Sequence, residues 1–479
     1  MFRSMKGLSH VHFVGIGGAG MSGIAEVLLD YDLKVSGCDA GRGEAIARLE
    51  SLGVKVYQGH SPDHLDGVDL VVKSSAVTDD NEEIRAARAR GITVVRRAEM
   101  LGELMRMKYG IAVAGTHGKT TTTSLISTLL VDAGLDPTVI VGGRMRVSGT
   151  GARVGKSDYL VAEADEFDRS FLRLMPILAI VTSIDVDHLD TYGNYEAIEQ
   201  AFVEFASRVP FFGQIIVCLD DPNIQKILPR LTHSHRVVTY GLSPQADLSA
   251  QNLELSPDGC RFTVVHATEG PLGEVHTPLA GRHNVRNVLA AVAVGRNLQL
   301  PMEQIATSLA GFRGVHRRFE RLGEYAGAVV IDDYAHHPTE VAATLQAARQ
   351  TFPRGRIHAI FQPHLFSRTR DLAADFGRSL MEADETLVTA IYASRESPIP
   401  GVSGEAIVLA ARASGHRQVE YVADRLELPA ILAAKVAAGR LGPGDLVLTL
   451  GAGDIYQLSH FLAALAATTD PKKKEGEGE

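Results

Sequence analysis

Cysteine is scarce in this chain of 479 residues: Cys38, Cys218 and Cys260 are the only three. They are too few for a disulfide framework and, by their scatter along the chain, are not expected to form a zinc site, and a reducing cytoplasm is the expected compartment. No apolar run approaches the roughly 20 residues that a membrane span needs. The opening MFRSMKGLSHVHFVGIGGAG carries no long apolar core or cleavage signal of a secretory leader. Positive charge is not in excess, with 48 Lys and Arg against 57 Asp and Glu and a net charge of −9. That balance argues against bulk nucleic-acid binding and leaves no basic patch for a membrane surface. Internal repeats are absent as well.

What is present is ordinary globular composition, 45% hydrophobic and 22% charged, in a chain long enough for two or three domains. Three segments are expected, over 1–108, 109–313 and 314–468, with a charged tail over 469–479 expected to be disordered. The first alternates strands (VHFVGI, LKVSGCD, VKVYQG, DLVVKSS, ITVVRR) with helices (SGIAEVLLDY, AIARLESLG, NEEIRAARARG), the pattern of a parallel sheet covered on both faces. The second restarts at YGIAVAGTHGKT and continues through DYLVAEADE, PILAIVTSID and QIIVCLDD. LSAQNLELSPDGCRFTVVH then alternates like an antiparallel addition at one edge. The third holds AVVIDDYAHHP, RIHAIFQPH, ETLVTAIYAS and DLVLTLGAGD. In all three, polar clusters follow the strands, where open α/β sheets gather ligands.

The densest chemistry is GTHGKTTTTS, residues 115–124. Gly115 and Gly118, with Thr116 and His117 between them in the expected nucleotide loop, let backbone N–H groups face a phosphate, and the following helix aims its positive end at the same anion. Lys119 can reach terminal phosphates, Thr120 can ligate Mg²⁺, and Thr121 extends the loop. The usual phosphate-loop pattern places glycine where this chain has Val113, so the motif is a compact variant. Two acidic clusters end the next strands. One holds Glu163, Asp165, Glu166 and Asp168, and the other Asp185, Asp187, His188 and Asp190. Any of these could hold magnesium, and any single one could be a solvated loop charge.

Earlier in the chain, Gly15-Ile-Gly17-Gly18-Ala19-Gly20 matches G-x-G-x-x-G between a strand and a helix, and Asp39 ends the second strand. Alone this reads as an NAD-dependent oxidoreductase. A UDP-sugar also carries a pyrophosphate and a ribose, however, and two nucleotide sites in one chain suit a ligase better.

The motifs HVHFVGIGGAGMSG, GTHGKTTTT, EADEFDRSF, DHLDTY, GRHNVRN, GVHRRFE, DDYAHHPTE and QPHLFSRTR occur in that order. Together they resemble the Mur ligase family, over the chain to about residue 455. The resemblance implies an α/β fold of three domains: a Rossmann-like front domain for a UDP-sugar, a central phosphate-loop ATPase domain and a Rossmann-like C-terminal domain. It implies ATP and Mg²⁺, with UDP-N-acetylmuramate and L-alanine as substrates, an acyl-phosphate route, a cytoplasmic location and a monomer or homodimer. By the same resemblance Lys119 and Thr120 hold phosphate and metal, while Glu163 and His188 ligate magnesium or meet the sugar acid. His283, Asn284 and Asn287 lie on the adenine side. Arg318 and Asp333 touch phosphate and ribose, and His364 and Arg368 meet the amino acid. Gly17, Gly18, Ala19, Gly20, Asp39, His60, Ser74 and Ser75 surround the UDP-sugar. No lysine matches the carbamylated one of later family members, which fits the alanine-adding branch. Other readings are a ligase recycling a tripeptide onto the same sugar nucleotide and a nucleotide-gated binding protein without catalysis.

Overall fold

The structure is a computed structural model and describes Met5 and residues 7–141, 152–187, 189–256, 259–394 and 396–469. The expected site residue His188 and nearly all of the expected tail lie outside the described residues. Three α/β sheets follow one another along the chain. One compact unit holds the first sheet and the bulk of the second, and another holds the third.

The first sheet contains β1 (His10–Val14), β2 (Lys34–Asp39), β3 (Lys55–Gln58), β4 (Leu70–Lys73) and β5 (Thr93–Arg96), in the order β3-β2-β1-β4-β5. All of its pairings are parallel. The chain leaves β1 to one side and returns on the other, so the loop after β1 stands where the strand order reverses, the usual ligand crevice. The helix Arg97–Arg106 follows β5 with no intervening loop and was not anticipated. It begins at once because the Glu99 carboxylate accepts the Arg96 N–H, which stops the strand and caps the helix together. A Cβ on Gly102 of this helix would lie 2.5 Å from the Arg173 carbonyl oxygen, so the helix rests on the turn Ser170–Arg173 through a missing methyl.

Among the described residues the second sheet has ten strands. Its parallel centre is β6 (Tyr109–Ala114), β7 (Thr138–Ile140), β9 (Tyr159–Glu163), β10 (Leu178–Val181), β11 (Gln214–Cys218) and β12 (Val237–Gly241), and the two-residue β8 (Ala152–Arg153) pairs antiparallel with β7. The far edge carries β13 (Leu248–Ser256), β14 (Gly259–His266) and β15 (Gly270–Thr277). Only three residues join β14 to β15, which requires an antiparallel hairpin, so the edge addition read from the sequence is present and one strand longer. Strand order runs β10-β6-β9 through the middle, and the loop after β6 therefore sits between the ends of β10 and β9.

The third sheet orders β16 (Glu320–Tyr325), β17 (Ala328–Asp333), β18 (Ile357–Phe361), β19 (Glu385–Thr389), β20 (Val419–Val422) and β21 (Leu446–Leu450) as β16-β17-β21-β18-β19-β20. Only β16 is antiparallel. Ile357, Ala359, Phe361, Leu446, Leu448 and Leu450 enter one apolar cluster, and Ile360 and Val447 the other. Alternate residues of the same strands thus meet helices on opposite faces, which is why these strands read as unbroken apolar runs. Among the described residues no helix is long and apolar enough to cross a membrane.

Candidate functional site

The loop after β6 is built for close approach. Gly115 (φ +133°) and Gly118 (φ +84°) adopt backbone conformations that side chains avoid. A Cβ on Gly115 would collide with Thr182 Oγ1, and one on Gly118 would stand 2.7 Å from Asn287 Oδ1. The loop is tied to the end of β10: Thr116 N–H donates to Ser183 O at 3.0 Å and His117 N–H to Ser183 Oγ at 2.9 Å. Asp185 N–H donates to Thr116 Oγ1 at 2.9 Å, and His117 Nε2 lies 3.0 Å from Asp185 Oδ2. The helix Lys119–Asp132 then starts with Gly118 in the left-handed conformation. Its threonines are poor helix formers, but Thr121, Thr122 and Thr123 are buried, and Thr122 Oγ1 donates to Asn287 Oδ1 at 3.2 Å. Thr120 stands at the open start of the helix.

Lys119 Nζ folds back, donating to Gly115 O at 2.7 Å and to both oxygens of Glu166 at 2.9 and 2.8 Å. Burial opposes its charge, but Glu166, Asp165 and Glu163 outweigh the burial and hold the ammonium above its usual range. Glu166 is 3% exposed, and Tyr192 OH donates to its backbone carbonyl at 2.7 Å. Glu163 ends β9 directly beside Val113 of β6, two positions before the loop. The lysine's partner was one of four acids in that cluster and was not singled out. Only the fold distinguishes it, because the turn after β9 brings it under the loop.

The glycine loop after β1 has the same placement, with an acid, Asp39, braced against it where the other has Lys119. Gly15 is in the left-handed region (φ +83°), and a Cβ there would lie 3.0 Å from Ser74 Cβ. Gly15 and Ile16 N–H donate to Cys38 O at 2.9 and 3.0 Å. Asp39, expected around the UDP-sugar, uses its carboxylate to accept Gly17 N–H at 2.8 Å and Gly41 N–H at 3.0 Å, so it braces the loop itself. Gly18 caps the helix that begins at Ala19, and Gly20 backs onto Arg97. Ser74 lies beside the loop and Ser75 is exposed. His60 points inward, its Nδ1 3.0 Å from Glu83 Oε2 and 3.2 Å from Cys38 Sγ.

In the third sheet the polar residues collect after β17 and β18. Asp333 Oδ2 accepts Phe319 N–H and its Oδ1 accepts Ala335 N–H, both at 2.7 Å. Burial pushes its carboxyl up to about 6, against the opposing pull of Arg318. Arg317, not anticipated, is a clamp: it donates to Asp332, Gly451 O and Gly453 O and lies over the rings of Tyr334 and Tyr456. Arg318 lies over Tyr334 and within 3.6 Å of Glu340. Glu340 also accepts His336 N–H at 3.1 Å. Burial lowers His336 to about 4 despite Glu340, so the ring is neutral and its Nδ1–H donates to Tyr334 O at 2.9 Å. His364 packs edge-on to His336 and stacks on Tyr392, and Arg368 is buried on the next helix. His283, Asn284 and Asn287 stand on one helix, Arg282–Asn297: Asn287 accepts from Thr122 of the phosphate-loop helix, Asn284 Nδ2 donates to Ala280 O at 2.8 Å, and His283 lies beside Gly281.

Three family models match in sequence: "Mur ligase family, catalytic domain" over residues 10–109, "Mur ligase middle domain" over 113–295 and "Mur ligase, glutamate ligase domain" over 317–453. The chain belongs to the Mur ligase family. Among relatives of this Mur ligase, the UDP-N-acetylmuramate–L-alanine ligase of Sorangium cellulosum is 50% identical over 477 residues, 99% of each chain. That of an Anaeromyxobacter species is 51% identical over 455 residues, 95% of this chain and 97% of the relative. The crystal structure of the UDP-N-acetylmuramate–alanine ligase of Thermotoga maritima superposes with a TM-score of 0.78 at 30% identity, covering 96% of this chain and 100% of that one. A murein peptide ligase from Psychrobacter arcticus gives 0.66 at 25% identity, covering 95% and 98%.

Proposed function

We propose that the chain joins L-alanine to the lactyl carboxylate of UDP-N-acetylmuramate, consuming ATP and releasing ADP and phosphate, as a cytoplasmic monomer or homodimer. The observation that carries this reading is Lys119, held by Glu166 in a loop whose two glycines admit no side chain. It stands in a chain half identical, end to end, to ligases of that name. We assign the UDP-sugar to 1–108, ATP to 109–313 and the closing domain to 314–468.

A carboxylate is a poor electrophile, so the reaction proceeds by phosphorylating it to an acyl phosphate, which the alanine amine attacks with loss of phosphate. The protein's part is positioning and charge neutralisation. Lys119 leaves Glu166 for the terminal phosphate, the N–H groups of 118–121 at the helix start face its oxygens, and Arg318 and Asp333 hold nucleotide groups. His364 and Arg368 orient the amino acid, and His283, Asn284 and Asn287 border the base. The front loop, with His60, Ser74 and Ser75, receives the sugar nucleotide. Thr120 and Glu163 offer hard oxygen donors, the chemistry magnesium prefers, and we add His188 to that set. Bound Mg²⁺ would offset phosphate charge.

The test is phosphate release from ATP and Mg²⁺ with UDP-N-acetylmuramate, supplying L-alanine or the tripeptide in parallel. Release with alanine supports the reading. Release with the tripeptide alone moves the chain to the recycling reaction, which the murein peptide ligase likeness would then explain. Release with neither rejects both.

A further inference from the structure

Beneath the front glycine loop lies a cluster that the proposed reaction does not use. His12 comes from β1, Cys38 from β2, His64 from the turn Pro62–Leu65 and Glu83 from the helix Glu82–Ala89. One donor atom from each lies within 4.8 Å of all the others. His12, Cys38 and Glu83 are fully buried. Glu83 Oε2 accepts from Cys38 Sγ at 2.7 Å and from His60 Nδ1 at 3.0 Å, and Oε1 lies 2.5 Å from His64 Nδ1.

Ser36 Oγ lies 2.8 Å from both His10 Nε2 and His12 Nδ1, and His10 Nδ1 is 3.1 Å from the carbonyl oxygen of Gly67. The other ring nitrogen of His12, Nε2, is fully buried without a hydrogen-bond partner and lies 3.6 Å from the carboxylate oxygen Glu83 Oε1. A buried imidazole nitrogen and a buried carboxylate oxygen at that spacing suit a cation shared between them.

We propose that His12 Nε2, Cys38 Sγ, His64 Nδ1 and Glu83 Oε1 bind a zinc-class divalent ion. Two imidazoles, a thiolate and a carboxylate form a four-ligand donor set that suits Zn²⁺ and not Mg²⁺. On binding, the Cys38 thiol proton leaves for solvent as the sulfur–metal bond forms, and the hydrogen that His64 Nδ1 shares with Glu83 exchanges through solvent to Nε2, so that the neutral ring offers its Nδ1 lone pair. Thiolate and carboxylate together cancel the charge of the ion, so the filled site is neutral, as its burial requires. Ser36 orients His12 and His60 anchors the other Glu83 oxygen, the outer support such sites need. Because Cys38 O also accepts Gly15 and Ile16 N–H, the ion would brace the front loop from behind.

The experiment is to strip the full-length chain with chelator and titrate it with Co²⁺ and Zn²⁺. The expected result is one tight equivalent of Zn²⁺ and, with Co²⁺, thiolate-to-cobalt charge-transfer absorption. That band persists in the Cys218→Ser/Cys260→Ser double variant and disappears in Cys38→Ser, and Ser36→Ala weakens binding by about 10–100-fold. A chain with no such band, as when a proton alone bridges His12 and Glu83, overturns the proposal. So does a band that survives in Cys38→Ser or is lost in the double variant. If Cys38→Ser does not fold, the double variant decides, since Cys38 is then the sole thiol.

Discussion

The two glycine loops occupy equivalent places, each after the first strand of its sheet where strand order reverses, yet their N–H groups meet different partners. In the front loop the chain supplies the anion: Asp39 accepts Gly17 N–H, and Lys73 of the neighbouring β4 pairs with Asp79. In the central loop the chain supplies a cation, and the buried carboxylate of Glu166 sits on Lys119. A glycine pattern therefore specifies how closely a backbone can approach an anion. The charge placed beside it decides whether that anion is merely held or transferred.

The strongest way to break this comparison is Lys119→Ala. Phosphate release should fall about 10³-fold or more, while UDP-N-acetylmuramate binding, followed calorimetrically, stays within error; equal loss of both would mean the loops are not separate sites. Glu166→Gln should act in opposite senses on two readouts. Leaving Lys119 without its partner costs roughly 3 kcal/mol of stability in denaturant melts, whereas nucleotide affinity rises because the phosphate no longer competes with a carboxylate. Asp333 does for the third sheet what Asp39 does for the first, accepting two backbone N–H groups, but fully buried. Its folded carboxyl is raised from 3.8 to about 6, so its stabilising contribution is complete below the unfolded value and is lost as pH rises through the folded one. Stability should drop by about 2–3 kcal/mol across that window, and Asp333→Asn should flatten the slope. Gly118→Ala and Gly15→Ala each impose roughly 1–3 kcal/mol of strain. The first should raise the KM for ATP and the second that for the sugar nucleotide, and a crossed result would sink the assignment. The smallest effect is expected from Asp39→Asn, about 1 kcal/mol in sugar-nucleotide affinity.

Much of this architecture is legible in the sequence because parallel strands covered on both faces leave unbroken Val/Ile runs, and each run ends where a ligand loop begins. AVVIDD and DLVLTL declare themselves this way. The helix Arg97–Arg106 does not, because Glu99 caps it on a residue that is still strand and no breaker separates the two. The lysine's partner was hidden for another reason: Glu163, Asp165, Glu166 and Asp168 are equivalent as text, and only the path of the turn after β9 places one under Nζ. The cluster around Glu83 draws on four separate elements, so no local spacing announces it. Arg317 and Arg318 look interchangeable in sequence; their backbone directs one to carbonyl oxygens and the other toward Glu340.

Gly102 has a consequence for anyone recombining these enzymes. Its absent side chain is where the last helix of the front domain seats on the Ser170–Arg173 turn of the central domain. The front domain is therefore not a free cassette. A chimera that swaps in another front domain must import a glycine at this position, or bring the matching turn with it, before the graft can sit flush.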